Sequence, residues 1–124
     1  MMKRSIYFFM AMLVAIVASC NLSGSGSVQS LDSLAFKALI NNSDIQLVDV
    51  RTPKEFAKGS LENAINIDIN VDGFSERAVQ TLSKDRPVAV FCHSGERSRI
   101  AADILSDMGF EVFNLAEGLI GWEE

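Results

Sequence analysis

An α/β fold with a mainly parallel sheet and helices on both faces is what this sequence predicts. Short β-rich runs ("IQLVDV", "AINID", "VAVF", "EVFNL") alternate along the chain with amphipathic stretches, the order that βα units produce. The first and third of these runs are rich in β-branched residues and apolar almost throughout, as strands buried on both faces are. Punctuation agrees: Pro53 and Pro87 open elements, and Gly59 and Gly109 close them.

Ser30 is placed as an N-cap, followed by Leu31, Leu34, Ala35, Ala38 and Leu39, one face of a helix. "NNSD" ends it, and "IQLVDV" (Ile45 to Val50) is the first strand. Pro53 starts a short helix through Lys58 that Gly59 terminates, and "AINID" follows as a strand. Phe74 to Ser83 puts Phe74, Ala78, Val79 and Leu82 on one side and charges on the other, so it reads as a helix. After "VAVF" a helix beginning near Ser98 is expected to bury Ile100, Ala101, Ile104, Leu105 and Met108, with Gly109 as its C-cap. "EVFNL" is the last strand. No internal repeat is visible.

Three segments are expected. Residues 1–19 have a short basic start at Lys3 and Arg4, then an apolar run from Ile6 to Ala18. That run is shorter than the roughly 20 residues a membrane span needs, and it fits the core of an export signal. "VASC" (Val17 to Cys20) resembles the bacterial lipobox, which implies cleavage before Cys20 and lipid on it. Residues 20–29, with the Ser/Gly-rich "NLSGSGSVQ" of Asn21 to Gln29, read as a flexible tether. Residues 30–124 form the domain. The expected location is therefore the bacterial cell envelope, on an extracytoplasmic or periplasmic face, held to the membrane through Cys20.

Composition narrows function. Removing Lys3 and Arg4 with the signal takes the net charge from −5 to −7, and such a chain is a poor partner for nucleic acid. With Cys20 acylated, Cys92 is the one free thiol, so no intramolecular disulfide can form. An unpaired thiol in an oxidising compartment is a hazard unless buried or used. Cys92 and His93, adjacent in sequence, lack the count and spacing of a metal site. No metal or cofactor is expected, and the protein is expected to be a monomer.

The stretch "FCHSGERSRIAADIL" then carries the chemistry. Cys92 follows a strand, where α/β sheets gather functional groups. The loop amides, with the N-terminus of the next helix, can form an anion site. The same field favours thiolate over thiol. Free cysteines are more often buried structural residues, but this loop context favours a nucleophile.

"CHSGERS", followed by a helix, "GFEVFNL" and "GLIGW", resembles the rhodanese-homology domain. That family's active loop, Cys-x-x-Gly-x-Arg-Ser, is matched by Cys92, Gly95, Arg97 and Ser98. "LVDVRTPKEFAKGSLENAINI" is similar to the family's first signature through Asp49, Arg51, Glu55, Phe56, Gly59 and Ala64. The likeness spans Leu31 to Trp122. Ser60 departs from the usual His, Asn63 from Gly, and Glu117 from the first Gly before the tryptophan.

The resemblance implies sulfur transfer from a small donor such as thiosulfate to a thiol or cyanide through a Cys92 persulfide. The sulfur would be cradled by the loop of His93, Ser94, Gly95, Glu96, Arg97 and Ser98. Arg97 is expected to brace that loop by donating to carbonyls, and Asp49 and Arg51 to fix the strand end or loop network. His93 is read as solvent-facing, Trp122 as a core plug, and Phe74 as lining the pocket or packing. Glu96 is expected to repel an anionic donor and to push the Cys92 pKa up. Related phosphatases and arsenate reductases resemble Cys-x5-Arg, whereas four residues separate Cys92 from Arg97 here. The shorter loop suits sulfur better than phosphate. The alternative is a non-catalytic rhodanese-like module that binds sulfur, anions or a partner.

Overall fold

The computed structural model describes residues 26–122. Five parallel strands form one sheet: β1 (Ser27–Leu31), β2 (Gln46–Asp49), β3 (Ile65–Asn66), β4 (Val88–Phe91) and β5 (Glu111–Leu115). Their order across the sheet is β1-β5-β4-β2-β3. The helices are α1 (Ser33–Ile40), α2 (Pro53–Lys58), α3 (Phe74–Thr81) and α4 (Glu96–Asp107), with a final 3-10 turn, η1 (Gly118–Gly121).

Every residue of β2 and β4 is buried, and side-chain alternation divides them between two cores. Val48, Val50, Val88, Val90, Cys92 and Val112 pack beneath α3 and α4, against Phe74, Ala78, Ala101, Ala102 and Leu105. Leu47, Ala89, Phe91 and Leu115 face the other way, onto Phe36 of α1, with Leu39, Ile40, Leu61 and Trp122 around them. Trp122 meets Phe36 edge-on, with ring centroids 6.2 Å apart, so it plugs the core as expected. Phe74 packs in the first core.

The start of the domain differs from expectation. Ser27 to Gln29, read as tether, belong to β1 with Ser30 and Leu31, and all five pair with Glu111 to Leu115 of β5. An edge strand satisfies its backbone on one side only and can stay polar, so "SVQSL" gave no hydrophobic signal. Ser30 consequently is not the cap. Asp32 is, its carboxylate accepting from the Ala35 amide at 2.8 Å. The inward face of α1 rotates with it: Phe36 is buried, while Leu34 is 79% exposed. The Cys20 assignment and residues 20–25 lie outside the described residues.

Two further faces are corrected. Val79 and Ile100 stay more than half exposed; the expected Ala78 and Ala101 are buried, and Ala102 joins them in the core beneath α3 and α4. Helix α4 begins at Glu96 rather than near Ser98, since Gly95 at φ 98° turns the chain straight into it. Remaining elements match. Thr52 and Glu55 form a reciprocal capping box ahead of Pro53–Lys58, and Gly109 closes α4 at φ 100°.

Candidate active site

The carboxyl ends of β2 and β4 carry the site. Val50 donates its amide to the Phe91 carbonyl at 3.1 Å, so the two strand ends stay in register and set the Asp49–Arg51 corner beside the Cys92 loop. The loop then turns back so sharply that Gly95 N lies 3.1 Å and Ser98 N 3.4 Å from Cys92 Sγ. Both amides donate to the sulfur. Burial pushes the Cys92 thiol up. The Ser98 hydroxyl and the amides of Ser98, Gly95 and Ser94 outweigh it, and the thiol ends below its ordinary value. That lowering holds with Glu96 in the loop, whose expected upward push therefore does not prevail. Glu96 lies exposed in the first turn of α4.

Close backbone approach maintains this cradle. A Cβ on Gly95 would lie 2.1 Å from the Ala116 carbonyl oxygen, and one on Gly118 would lie 2.3 Å from that of His93. From η1 the amides of Leu119 and Ile120 donate to the carbonyls of Cys92 and His93, each at 3.0 Å. Glycine is thus needed at 118, where φ is 65°, and not at 117, where Glu117 sits at φ −100°. The departure at that position costs the loop nothing.

Arg97 braces the loop, though not through carbonyls. Its Nη1 and Nη2 donate to Glu55 Oε1 and Oε2 at 2.8 and 3.0 Å, a fork-to-fork pair tying α4 to α2. A carboxylate matches the planar guanidinium at two points, which single carbonyls do not. The Arg97 hydrogen bonds, helped by Thr52, hold the Glu55 carboxyl down at about 2. Arg97 is itself raised, first by those bonds and more weakly by the charge on Cys92. Glu55 has its place in the resembling signature, but its role was missed; the capping-box spacing "TPKE" was the available signal.

Asp49 and Arg51 pair at the end of β2. Both are buried, and Arg51 Nη2 lies 2.8 Å from Asp49 Oδ2. Arg51 Nε adds contacts to both Asp49 oxygens, and Nη2 also donates to the Gly59 carbonyl at 2.7 Å. The Ser60 hydroxyl donates to Asp49 Oδ2 at 2.8 Å, taking up a place in this network. Asn66 Nδ2 bonds the Asp49 and Arg51 carbonyls at 3.0 and 2.8 Å. Neither Ser60 nor Asn66 was legible as a support, because each contact spans more than ten residues of sequence.

Cys92 itself shows no exposed surface, whereas His93 and Ser94 above it are exposed. The amides therefore point at a sulfur that solvent does not reach in this conformation. Arrangement and charge suit an anionic sulfur.

Comparison with known proteins agrees with this geometry. The rhodanese-like domain profile matches residues 33–124, and the chain belongs to that family. A protein named sulfurtransferase from Allochromatium vinosum is 34% identical over 97 residues, covering 77% of this chain and 88% of its own length. YibN of Escherichia coli (strain K12) is 32% identical over 118 residues, covering 92% of this chain and 80% of its own. Among solved structures, a rhodanese-related protein from Thermoplasma volcanium superposes with a TM-score of 0.67 at 31% identity, over 76% of this chain and 89% of that one. The likeness to sulfurtransferases supports a rhodanese-family enzyme in the broad sense.

Proposed function

We propose that this protein is a sulfurtransferase that carries sulfane sulfur as a persulfide on Cys92. The Cys92 thiolate attacks the outer sulfur of thiosulfate or a similar donor. The donor's S–S bond breaks, its electron pair leaves with sulfite, and Cys92 bears a terminal sulfur with one negative charge. The acceptor, cyanide or a thiolate, attacks that terminal sulfur, and the electron pair of the broken bond returns to Cys92 Sγ. Two half-reactions sharing one covalent intermediate give ping-pong kinetics. The observation that carries this reading is the convergence of the Gly95 and Ser98 amides on Sγ. Donors aimed where negative charge resides cost no reorganisation during reaction.

Glu96 shapes donor choice. Its carboxylate opposes thiosulfate at the loop, so thiosulfate is a modest donor, and Glu96→Gln lowers the thiosulfate KM. An unchanged or higher KM counts against that role. The reading extends to location: Cys20 is lipidated, and the domain works in the bacterial envelope. A metabolic lipid label on the mature protein, blocked by globomycin, tests this; normal maturation without label refutes it.

The function itself is tested by cyanide-dependent thiocyanate formation. Cys92→Ala is expected to abolish it, and equal rates in both proteins would end the catalytic reading. The sealed position of Cys92 favours one second reading, a non-catalytic sulfur- or partner-binding module, which predicts no turnover in either protein.

A further inference from the structure

We propose that the sulfur donor and acceptor of Cys92 come from the aqueous phase, because the lipid-held chain presents the Cys92 loop on the side of the domain away from the bilayer. The inference rests on the sulfur-transfer reading and on lipid at Cys20, and it names the class of reactant the site can meet.

The direction of the sheet carries it. All five strands run parallel, so one end of the sheet holds every strand start and the other every strand finish. The chain enters at the first end. Gly26 donates its amide to the Ser106 carbonyl, in the last turn of α4, at 2.8 Å, and Ser27 donates to the Phe110 carbonyl at 3.2 Å. From there β1 runs beside β5. Cys92 follows the last residue of β4 at the opposite end, and His93 and Ser94 beyond it are exposed.

The register gives the separation. Ser27 pairs with Glu111 and Val90 with Asn114, which puts Gly26 level with Phe110 and Cys92 level with Ala116. Along the strands that interval is about 20 Å. Only Asn21 to Ser25 lie between Cys20 and Gly26. A chain of that length reaches about 21 Å fully extended, and a Gly/Ser-rich one averages about 14 Å. Turning the Cys92 loop onto the bilayer lifts Gly26 by the whole length of the sheet and by the height of His93 and Ser94 as well. The connection would be drawn taut and still fall short. With the strand starts toward the bilayer it spans the gap with slack, and a domain on its side also leaves the loop in water. Soluble sulfane donors and soluble thiolates therefore meet Cys92, and a thiol held in the bilayer does not.

The test uses the lipoprotein made from the full chain, in vesicles of phosphatidylethanolamine and phosphatidylglycerol that carry an acceptor dye on lipid. A donor dye is placed through Ser94→Cys at the loop tip, or through Asp85→Cys in the exposed turn before β4. Each is combined with Cys92→Ala, so that the new thiol takes the label. Energy transfer to the bilayer is expected to be stronger from position 85 than from position 94. A Gly/Ser insertion of about 15 residues after Ser25 should erase that difference. Equal transfer from the two positions, or stronger transfer from position 94, overturns the proposal.

Sulfur discharge gives a second readout. Wild type loaded from polysulfide in the same vesicles loses its sulfur to glutathione in the water and keeps it beside a thiol-headed lipid, which the insertion then admits. Discharge by the lipid thiol as fast as by glutathione also overturns the proposal. The supporting readings fail separately. If intact mass shows no lipid on Cys20 and the protein leaves the vesicles, the location reading fails and the orientation falls with it. If lipid is present but Cys92 never loads sulfur, the transfer reading fails alone, and the dye measurement still decides which way the loop faces.

Discussion

Sulfur 92 sits between opposing influences, and the balance is open to measurement. Burial disfavours the thiolate, while the Ser98 hydroxyl and three amides favour it and prevail. Thiolate absorbance, taken as the difference between wild type and Cys92→Ala, should therefore appear at a pH below the ordinary thiol range. Ser98→Ala moves its midpoint upward. Because the native pKa is the lower one, thiolate formation stabilises the fold at pH above the ordinary thiol value, and this contribution fades as pH falls through the native value. At Gly95, alanine meets both a left-handed φ and the Ala116 carbonyl. Gly95→Ala should cost more than about 1 kcal/mol in chemical denaturation and slow persulfide formation; wild-type stability and rate would show that the loop is not held by that approach. Asp49→Ala leaves Arg51 charged and buried without its partner, a loss of about 3–5 kcal/mol.

Between elements, the Glu55–Arg97 pair joins the first turn of α2 to the first turn of α4. Both side chains are partly exposed, so the pair stabilises the fold by no more than about 1 kcal/mol, and its value lies in holding the loop. The Glu55 carboxyl, lowered from 4.5 to about 2, contributes above about pH 4.5 and loses that contribution as pH falls toward 2. Glu55→Gln should lower neutral-pH stability by up to about 1 kcal/mol and flatten the acid profile over this window, the two proteins converging near pH 2; a wild-type profile would show that the pair does not matter.

The central strands and the Cys92 loop were readable because short-range rules govern them: apolar runs, Pro and Gly positions, and a nucleophile placed after a strand. Strand β1 was unreadable because an exposed edge carries no hydrophobic pattern. The inward face of α1 was misassigned because Phe36 packs on distant strands, a preference helical spacing alone does not encode; on α4, Ala101 and Leu105 are buried as expected, and Ile100 alone falls outside the face. Ser60 and Asn66 were silent for the same reason, since their partners lie far along the chain.

For the domain as a unit, β1 covers an edge of β5 that would otherwise expose a row of backbone donors and acceptors. A chain beginning at Asp32 should unfold at lower denaturant and aggregate, as light scattering would record; unchanged stability would make β1 dispensable. Two cores hold the carboxyl ends of the strands beneath the Cys92 loop. The most direct test of sulfur carriage is intact mass of the protein after incubation with a sulfane donor, followed by peptide mapping. One added sulfur on the peptide containing Cys92, removed by cyanide and absent from Cys92→Ala, is the predicted result. No added sulfur, or the same gain in Cys92→Ala, contradicts the account.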